Sequence, residues 1–311
     1  MINGINNQMM SNWEEIAKQL VPDEYNEFMV HSSDGRRPDD VEFTDIATDV
    51  KRRDLTINAL FYDLDTNEVV DLVGGVEDLK NGIVKTVGDA GERFEEDKLR
   101  ILRAIRFAGR FGSQVDSKID QLLSKGVDLS QISGERIRDE FIKGIEKAKS
   151  TIQFLELMNK YDLLSHVFPT IIPKAGANSK TFMESHDSTL VVAALLKPFA
   201  GGKLLSQLNK LKYPTDDAVD IEFLTTWLPN FKPDLIKAFK SKQAKTKLSD
   251  EQIMEFAKFA GLDVNLIGSM LNFNLSVRGD EVMSKFGISG KAVGNKIAEL
   301  EASNFSSTLN N

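Results

Sequence analysis

At 311 residues the chain exceeds the usual size of one domain, and 41% hydrophobic against 28% charged residues is the balance of an ordinary globular protein. Zero cysteines exclude disulfides and thiolate metal sites; the three scattered histidines, His31, His166 and His186, argue against a zinc centre, so any metal is expected to be a hard, oxygen-bound cation such as Mg²⁺. A formal net charge of −8 argues against binding nucleic acid through bulk electrostatics, and neither a membrane-spanning apolar run nor a signal-peptide series is present, which predicts a cytoplasmic protein whose RNA contacts, if any, are local basic patches.

Residues 1–33 are polar, with one helical segment at "NWEEIAKQL" ended by Pro22, and "DGRRPDD" at 34–40 reads as an exposed loop. "KRRD" at 51–54 sets a charge cluster before a predicted strand, turn and strand: "LTINALFYDL", "DTNE" and "VVDLV". "GIVKTVG" at 82–88 is the last β-rich stretch. Beyond it the pattern is helical, beginning with "EEDKLRILRAIRFAGRFG" as a single helix with acidic residues in its first turn and a glycine past its end. Two or three short helices are predicted over "SGERIRDEFIKGIEKAKSTIQFLELMNKYDLLSHVF", and more up to about residue 272, separated at "KPFAGGK" and "LPNFKP". The expected fold class is α+β, a small α/β head followed by a long helical remainder.

The chemistry concentrates in Lys98–Arg110, which has five cations and no carboxylate. Counting about 100° per residue gathers Arg100, Arg103, Arg106 and Arg110 on one strip, with Asp97 bordering Arg100 and Ile101, Ala104, Ile105 and Ala108 covering the other side. A carboxylate beside a forked guanidinium suits the hydrogen-bonding edge of a base, and the arginines beyond suit phosphates. A solvated helix face with a surface ion pair worth about 0–1 kcal/mol fits the same pattern. The charges of "KRRD", taken alone, also fit plain solvent exposure.

Taken in order, "KRRDLTINAL", "GGVEDL" (74–79) and "RFEEDKLRILRAIRF" (93–107) resemble the class II branch of the tRNA nucleotidyltransferase and poly(A) polymerase family, which includes the CCA-adding enzymes. "DGRRPDDVEF", "SGERIRDEF" (133–141) and the tail "LSVRGDEVMSKFGISGKAVGNKIAEL" (275–300) extend the resemblance. It implies a truncated polymerase β-like nucleotidyltransferase head over 1–88, then an all-α neck (89–170), body (171–272) and tail (273–311). It also implies CCA addition to tRNA 3′ ends with CTP and ATP as substrates. A noncatalytic tRNA-binding protein and a poly(A) polymerase are the alternatives.

By the same resemblance Arg53 contacts the triphosphate and Asp54 the ribose. Asp97 and Arg100 act as a protein template for the base, Arg103 and Arg106 support the phosphates and the template, and Glu135, Arg136 and Glu140 belong to a structural motif. The family holds Mg²⁺ on an Asp-x-Asp strand that has no counterpart before Arg52; "DDVE" (39–42) and "DLD" (63–65) fall in a loop and a turn. The metal ligands are therefore expected from a small partner polypeptide that completes the head and covers its open sheet edge. In the tail, Gly287, Gly290 and Gly294 with Lys291 and Lys296 predict a turn and helix start that either presents amides to an RNA phosphate or is an ordinary packing unit.

Overall fold

The structure, a computed structural model, describes residues 46–63, 68–172 and 179–309. The helical segment and loop expected before residue 41, the "DDVE" stretch and Asp65 lie outside these residues. The chain divides into two units between Arg53 and Asp54. Of the first, the described part is helix α1 (Ile46–Arg52) and Arg53. One-turn spacing brings both arginines onto Asp49: Arg52 donates to it at 2.9 Å, and Arg53 donates through Nε at 3.0 Å and Nη2 at 2.9 Å.

The second unit opens with a tight turn, Thr56–Asn58, rather than with the strand expected from Leu55. Asn58 and Ala59 donate back to the carbonyls of Leu55 and Thr56, and this local bonding displaces the start of the strand to Leu60. Strands β1 (Leu60–Asp63) and β2 (Glu68–Asp71) then form an antiparallel hairpin, with Tyr62 opposite Val69. Helix α2 (Gly75–Lys80) follows, and β3 (Ile83–Val84) pairs in parallel with β4 (Gln114–Val115). β4 lies beyond the point where strands were expected to stop. Two residues are too short to show an alternating pattern, and a parallel partner needs a long crossover, here helices α3 (Ala90–Glu96) and α4 (Leu99–Phe111).

The remainder is helical: α5 (Ser117–Ser124), α6 (Gly134–Lys147), α7 (Thr151–Lys160), α8 (Leu163–Val167), α9 (Ser188–Leu196), α10 (Leu204–Lys210) and α11 (Thr215–Glu222). It closes with α12 (Ile236–Gln243), α13 (Asp250–Phe259), α14 (Val264–Asn272), α15 (Gly279–Phe286) and α16 (Lys291–Leu309). The α+β class holds, with the sheets small and the helices dominant.

The core around α4, α6 and α7 is built on aromatic rings. Phe141 sits 6.1 Å from Phe154 and 5.7 Å, edge-on, from Phe168, and all three are fully buried. Gly109 of α4 and Gly144 of α6 give Phe154 its space: a Cβ at these positions would lie 2.8 Å and 2.2 Å from the ring. Helix α9 is buried along Leu190–Leu196 and is apolar all round, as a helix enclosed by others must be. In the tail, Phe305 of α16 meets Phe231 and Phe273, and buried Glu301 accepts the amides of Ser276 and Val277 at 2.7 Å and 2.6 Å. Among the described residues no helix is long and apolar enough to cross a membrane.

Candidate nucleotide-binding site

Two of the sequence motifs fold onto each other. Thr56 Oγ1 donates to Asp78 Oδ2 at 2.7 Å, and the backbone of Gly75 packs so closely on Thr56 that a Cβ would lie 2.1 Å from the Thr56 carbonyl oxygen. Only glycine fits there. Asp71 prepares this contact by accepting four successive amides, those of Val73, Gly74, Gly75 and Val76, at 2.8–3.1 Å. Burial works against its charge, but the four amides outweigh it and hold the carboxyl below its ordinary range. The turn at Thr56–Asn58 is thereby clamped onto α2.

Asp54 is the buried residue of "KRRD", 9% exposed. Its Oδ2 receives Arg103 Nε from α4 at 2.6 Å, while Oδ1 receives the Leu55 amide at 2.8 Å and Asn58 Nδ2 at 3.3 Å. Its own carbonyl accepts the Val87 amide at 3.1 Å. Burial pushes the carboxyl up, but the Arg103 charge and hydrogen bond, helped by Asn58 and Leu55, bring it below its usual value. A group depressed on folding contributes stability that is complete above the unfolded value, about 3.9, and is lost as pH falls through the folded value. Asp54→Asn is therefore expected to destabilise the protein at neutral pH and to flatten the decline in stability below about pH 4. Denaturant midpoints measured across that range test this; parallel curves for the two proteins would contradict it.

The expected single helix from residue 95 to 112 is in fact two. Asp97 lies between α3 and α4 with extended backbone, φ −148° and ψ 106°. Its Oδ1 accepts the Leu99 amide at 3.0 Å, a local bond by which aspartate competes with the helix and breaks it. Counting turns from Asp97 to Arg100 is thus invalid. Asp97 instead faces Arg136 Nη2 of α6 at 3.6 Å, and both side chains remain substantially exposed.

Arg100 turns to Glu96 and to the Arg93 carbonyl, the latter at 3.1 Å. Glu96 is held below its ordinary range by the Arg100 hydrogen bond and by Arg93, which donates to it at 2.7 Å. The arginine strip is also divided. Arg103 points to Asp54, whereas Arg106 is 5% exposed, donates to Glu140 Oε2 at 2.7 Å and stacks 4.3 Å over Phe107. Arg106 faces into the helical core rather than an open phosphate surface, because α6 lies against α4 and supplies the buried carboxylate. Glu135 is exposed, with its carboxylate 4.0 Å from Lys212 Nζ.

Arg53 belongs to the first unit, where Asp49 engages it. Lys291 begins α16 just after Gly287 and Gly290, whose φ values of 64° and 60° form the expected turn. Lys296 pairs with Glu299 at 2.7 Å and lies 5.0 Å from the Phe286 ring, while Gly294 falls inside the helix. The sequence did not single out Glu96, Asp71 or Asn58 as parts of this arrangement. Glu96 stood beside Asp97 in the motif itself, and an Asp three residues ahead of a glycine pair was the available signal for Asp71.

No group of three or more His, Asp or Glu side chains that could share a metal ion occurs among the described residues. Asp54, Asp71 and Asp97 each accept N–H groups instead of converging on one point. These residues do not fit Mg²⁺.

Residues 17–85 match the family model "Poly A polymerase head domain", and residues 118–174 match "Probable RNA and SrmB-binding site of polymerase A". Among curated proteins, the CCA-adding enzyme of Lactobacillus helveticus is 49% identical over 112 residues, 35% of this chain and 28% of the relative. Over these stretches the chain resembles the tRNA nucleotidyltransferase and poly(A) polymerase family. The CCA-adding enzyme of Oceanobacillus iheyensis is 36% identical over 173 residues, 53% of this chain and 43% of the relative. The matched stretch thus spans less than half the length of these nucleotidyltransferase relatives. Among solved nucleotidyltransferases, the fold is similar to that of the Bacillus stearothermophilus CCA-adding enzyme in complex with CTP, with a TM-score of 0.62 at 21% identity, covering 86% of this chain and 72% of that one. The Thermotoga maritima CCA-adding enzyme complexed with tRNA-CCA gives 0.57 at 23% identity, covering 84% and 70%.

Proposed function

We propose that this chain takes part in nucleotidyl transfer to tRNA 3′ ends, adding CMP and AMP from CTP and ATP. The observation that carries the reading is the buried Asp54–Arg103 pair, 2.6 Å long, which ties the first residue of the second unit to α4. Asp97 and Arg100 stand at the break that opens the same helix. In this reading Asp54 meets the ribose and Arg53 the triphosphate, while Asp97 and Arg100 offer an acceptor and a forked donor to the base. Glu96 holds Arg100 until the nucleotide arrives. Arg103 positions Asp54, and Arg106 supports the helix from within. Lys291 and Lys296 belong to an RNA-facing tail.

The carboxylates for a divalent metal come, in this reading, from a polypeptide segment other than the described residues, on a second chain that completes the head. Exposed apolar residues on and beside the hairpin support this: Tyr62 is 54%, Val69 43% and Leu72 53% exposed. A segment packed on that face of the hairpin would cover them.

The test is an extension assay with Mg²⁺, CTP, ATP and a tRNA lacking its terminal CCA, with and without a head peptide carrying Asp-x-Asp. Extension that requires the peptide supports the reading. Arg100→Ala is expected to lower kcat/KM for both nucleotides by roughly 10- to 100-fold, the worth of a charge-assisted hydrogen bond. Transfer indifferent to Asp97→Ala and Arg100→Ala, or tRNA binding with no transfer under any condition, would reject it; the latter identifies a noncatalytic tRNA-binding protein. Runs of AMP alone would identify a poly(A) polymerase.

A further inference from the structure

Far along the chain from α4, the segment 232–247, "KPDLIKAFKSKQAKTK", has six lysines and one carboxylate in a protein of net charge −8. It begins just after a π-helical turn, Phe223–Trp227, that extends α11. Such turns widen a helix locally and recur at functional sites. Between them lies a cavity of about 250 Å³ lined by Thr226, Trp227, Asn230, Leu235 and Phe239.

Three features give the cavity a chemical character. Lys242 Nζ lies 4.6 Å from the Trp227 ring centroid, so the indole face is already used by a cation. Thr226 Oγ1 is buried with no hydrogen-bond partner among the described residues. Leu235 is 43% exposed at the rim, although it is a large apolar side chain. Several other lysines of the segment are committed: Lys237 donates to the Gly294 carbonyl, Lys240 to those of Met270 and Leu271, and Lys247 pairs with Asp216. Lys232 and Lys245 are exposed.

From this we infer that the cavity is a binding site for an unpaired nucleotide of an RNA strand. The base stacks on Trp227 against the apolar wall of Leu235 and Phe239, beside the cavity-lining Thr226 and Asn230. The Lys242 ammonium then exchanges the indole face for the backbone phosphate, with Lys232 and Lys245 adding to the positive field along the strand. Aromatic stacking with flanking cations binds single strands without reading their sequence. The ligand class rests on the proposed action on RNA, but the test measures binding alone, so loss of transfer and absence of this site are separate results.

The chain has two tryptophans, Trp13 and Trp227, so Trp13→Phe makes Trp227 the sole indole emitter. Titrating the full-length Trp13→Phe protein with a single-stranded hexaribonucleotide is expected to quench its fluorescence saturably. Lys242→Glu should weaken that binding by roughly tenfold and reduce its salt dependence. Trp227→Phe, which keeps the packing but stacks less surface, should weaken anisotropy-measured binding of a labelled hexamer about fivefold. Unchanged affinity in both variants would overturn the inference, as would absence of quenching on RNA binding. Equal quenching by polyglutamate would also overturn it, pointing instead to an acidic protein segment.

Discussion

Replacing Glu140 with alanine is expected to lower the free energy of unfolding by about 3–5 kcal/mol, the cost of removing one partner of a buried ion pair. The Arg106 and Glu140 side chains are 6% and 7% exposed and meet at 2.7 Å, so water cannot take the place of the lost carboxylate. Lys143, 3.9 Å from Glu140 Oε1, is a second cation beside the same carboxylate. The size of the loss is not the net worth of the pair, because two charges were desolvated to make it. Arg106→Met combined with Glu140→Leu should therefore return stability to within about 1–2 kcal/mol of the parent, or above it. Urea unfolding of the single and double variants decides the matter. A Glu140→Ala protein with an unchanged midpoint would show that the guanidinium finds solvent by another route.

A second large effect is expected at the Phe154 site. In an exposed helix interior, glycine to alanine stabilises by about 1 kcal/mol. Gly144→Ala should do the opposite and cost about 1–3 kcal/mol, because the new Cβ would lie 2.2 Å from the tip of a fully buried ring. Phe154→Ala alone should cost about 3–5 kcal/mol, through lost burial and the cavity left behind. The two changes share one space, so their effects should not add: with the ring gone, the three atoms nearest the new methyl group are gone too, and the cost of the glycine substitution should shrink. A double-mutant cycle by chemical denaturation tests this, and strictly additive values would mean that the ring and glycine do not touch.

Much of this architecture was legible in the sequence where a pattern was long. The helical remainder, its breaks near Lys197 and Leu228, and the glycine turn before Lys291 all followed from periodicity and from residues that stop helices. The failures are local. Asp97 was placed on a helix because its neighbours have helical spacing, yet one hydrogen bond from its side chain to the Leu99 amide ends that spacing. The strand expected at Leu55 was displaced by turn bonding at Thr56–Asn58, and β4 was too short to announce itself.

At the candidate site, type and spacing identified the arginines but not their targets. Arg103 and Arg106 are three residues apart on one helix and look equivalent in sequence. They part because Asp54 approaches from 49 residues earlier in the chain and Glu140 from 34 residues later, and no local pattern encodes those approaches.

The Asp54–Arg103 contact fastens α4 to the start of the second unit about one turn beyond the break that holds Asp97. In the proposed nucleotide reading, a tilt of that helix by a few degrees would shift Asp54, taken to face the sugar, and Asp97, taken to face the base, in concert. Discrimination between nucleotides and their seating would then vary as one mechanical coordinate, so a substitution that loosens the anchor at Asp54 should blur the choice of base several residues away.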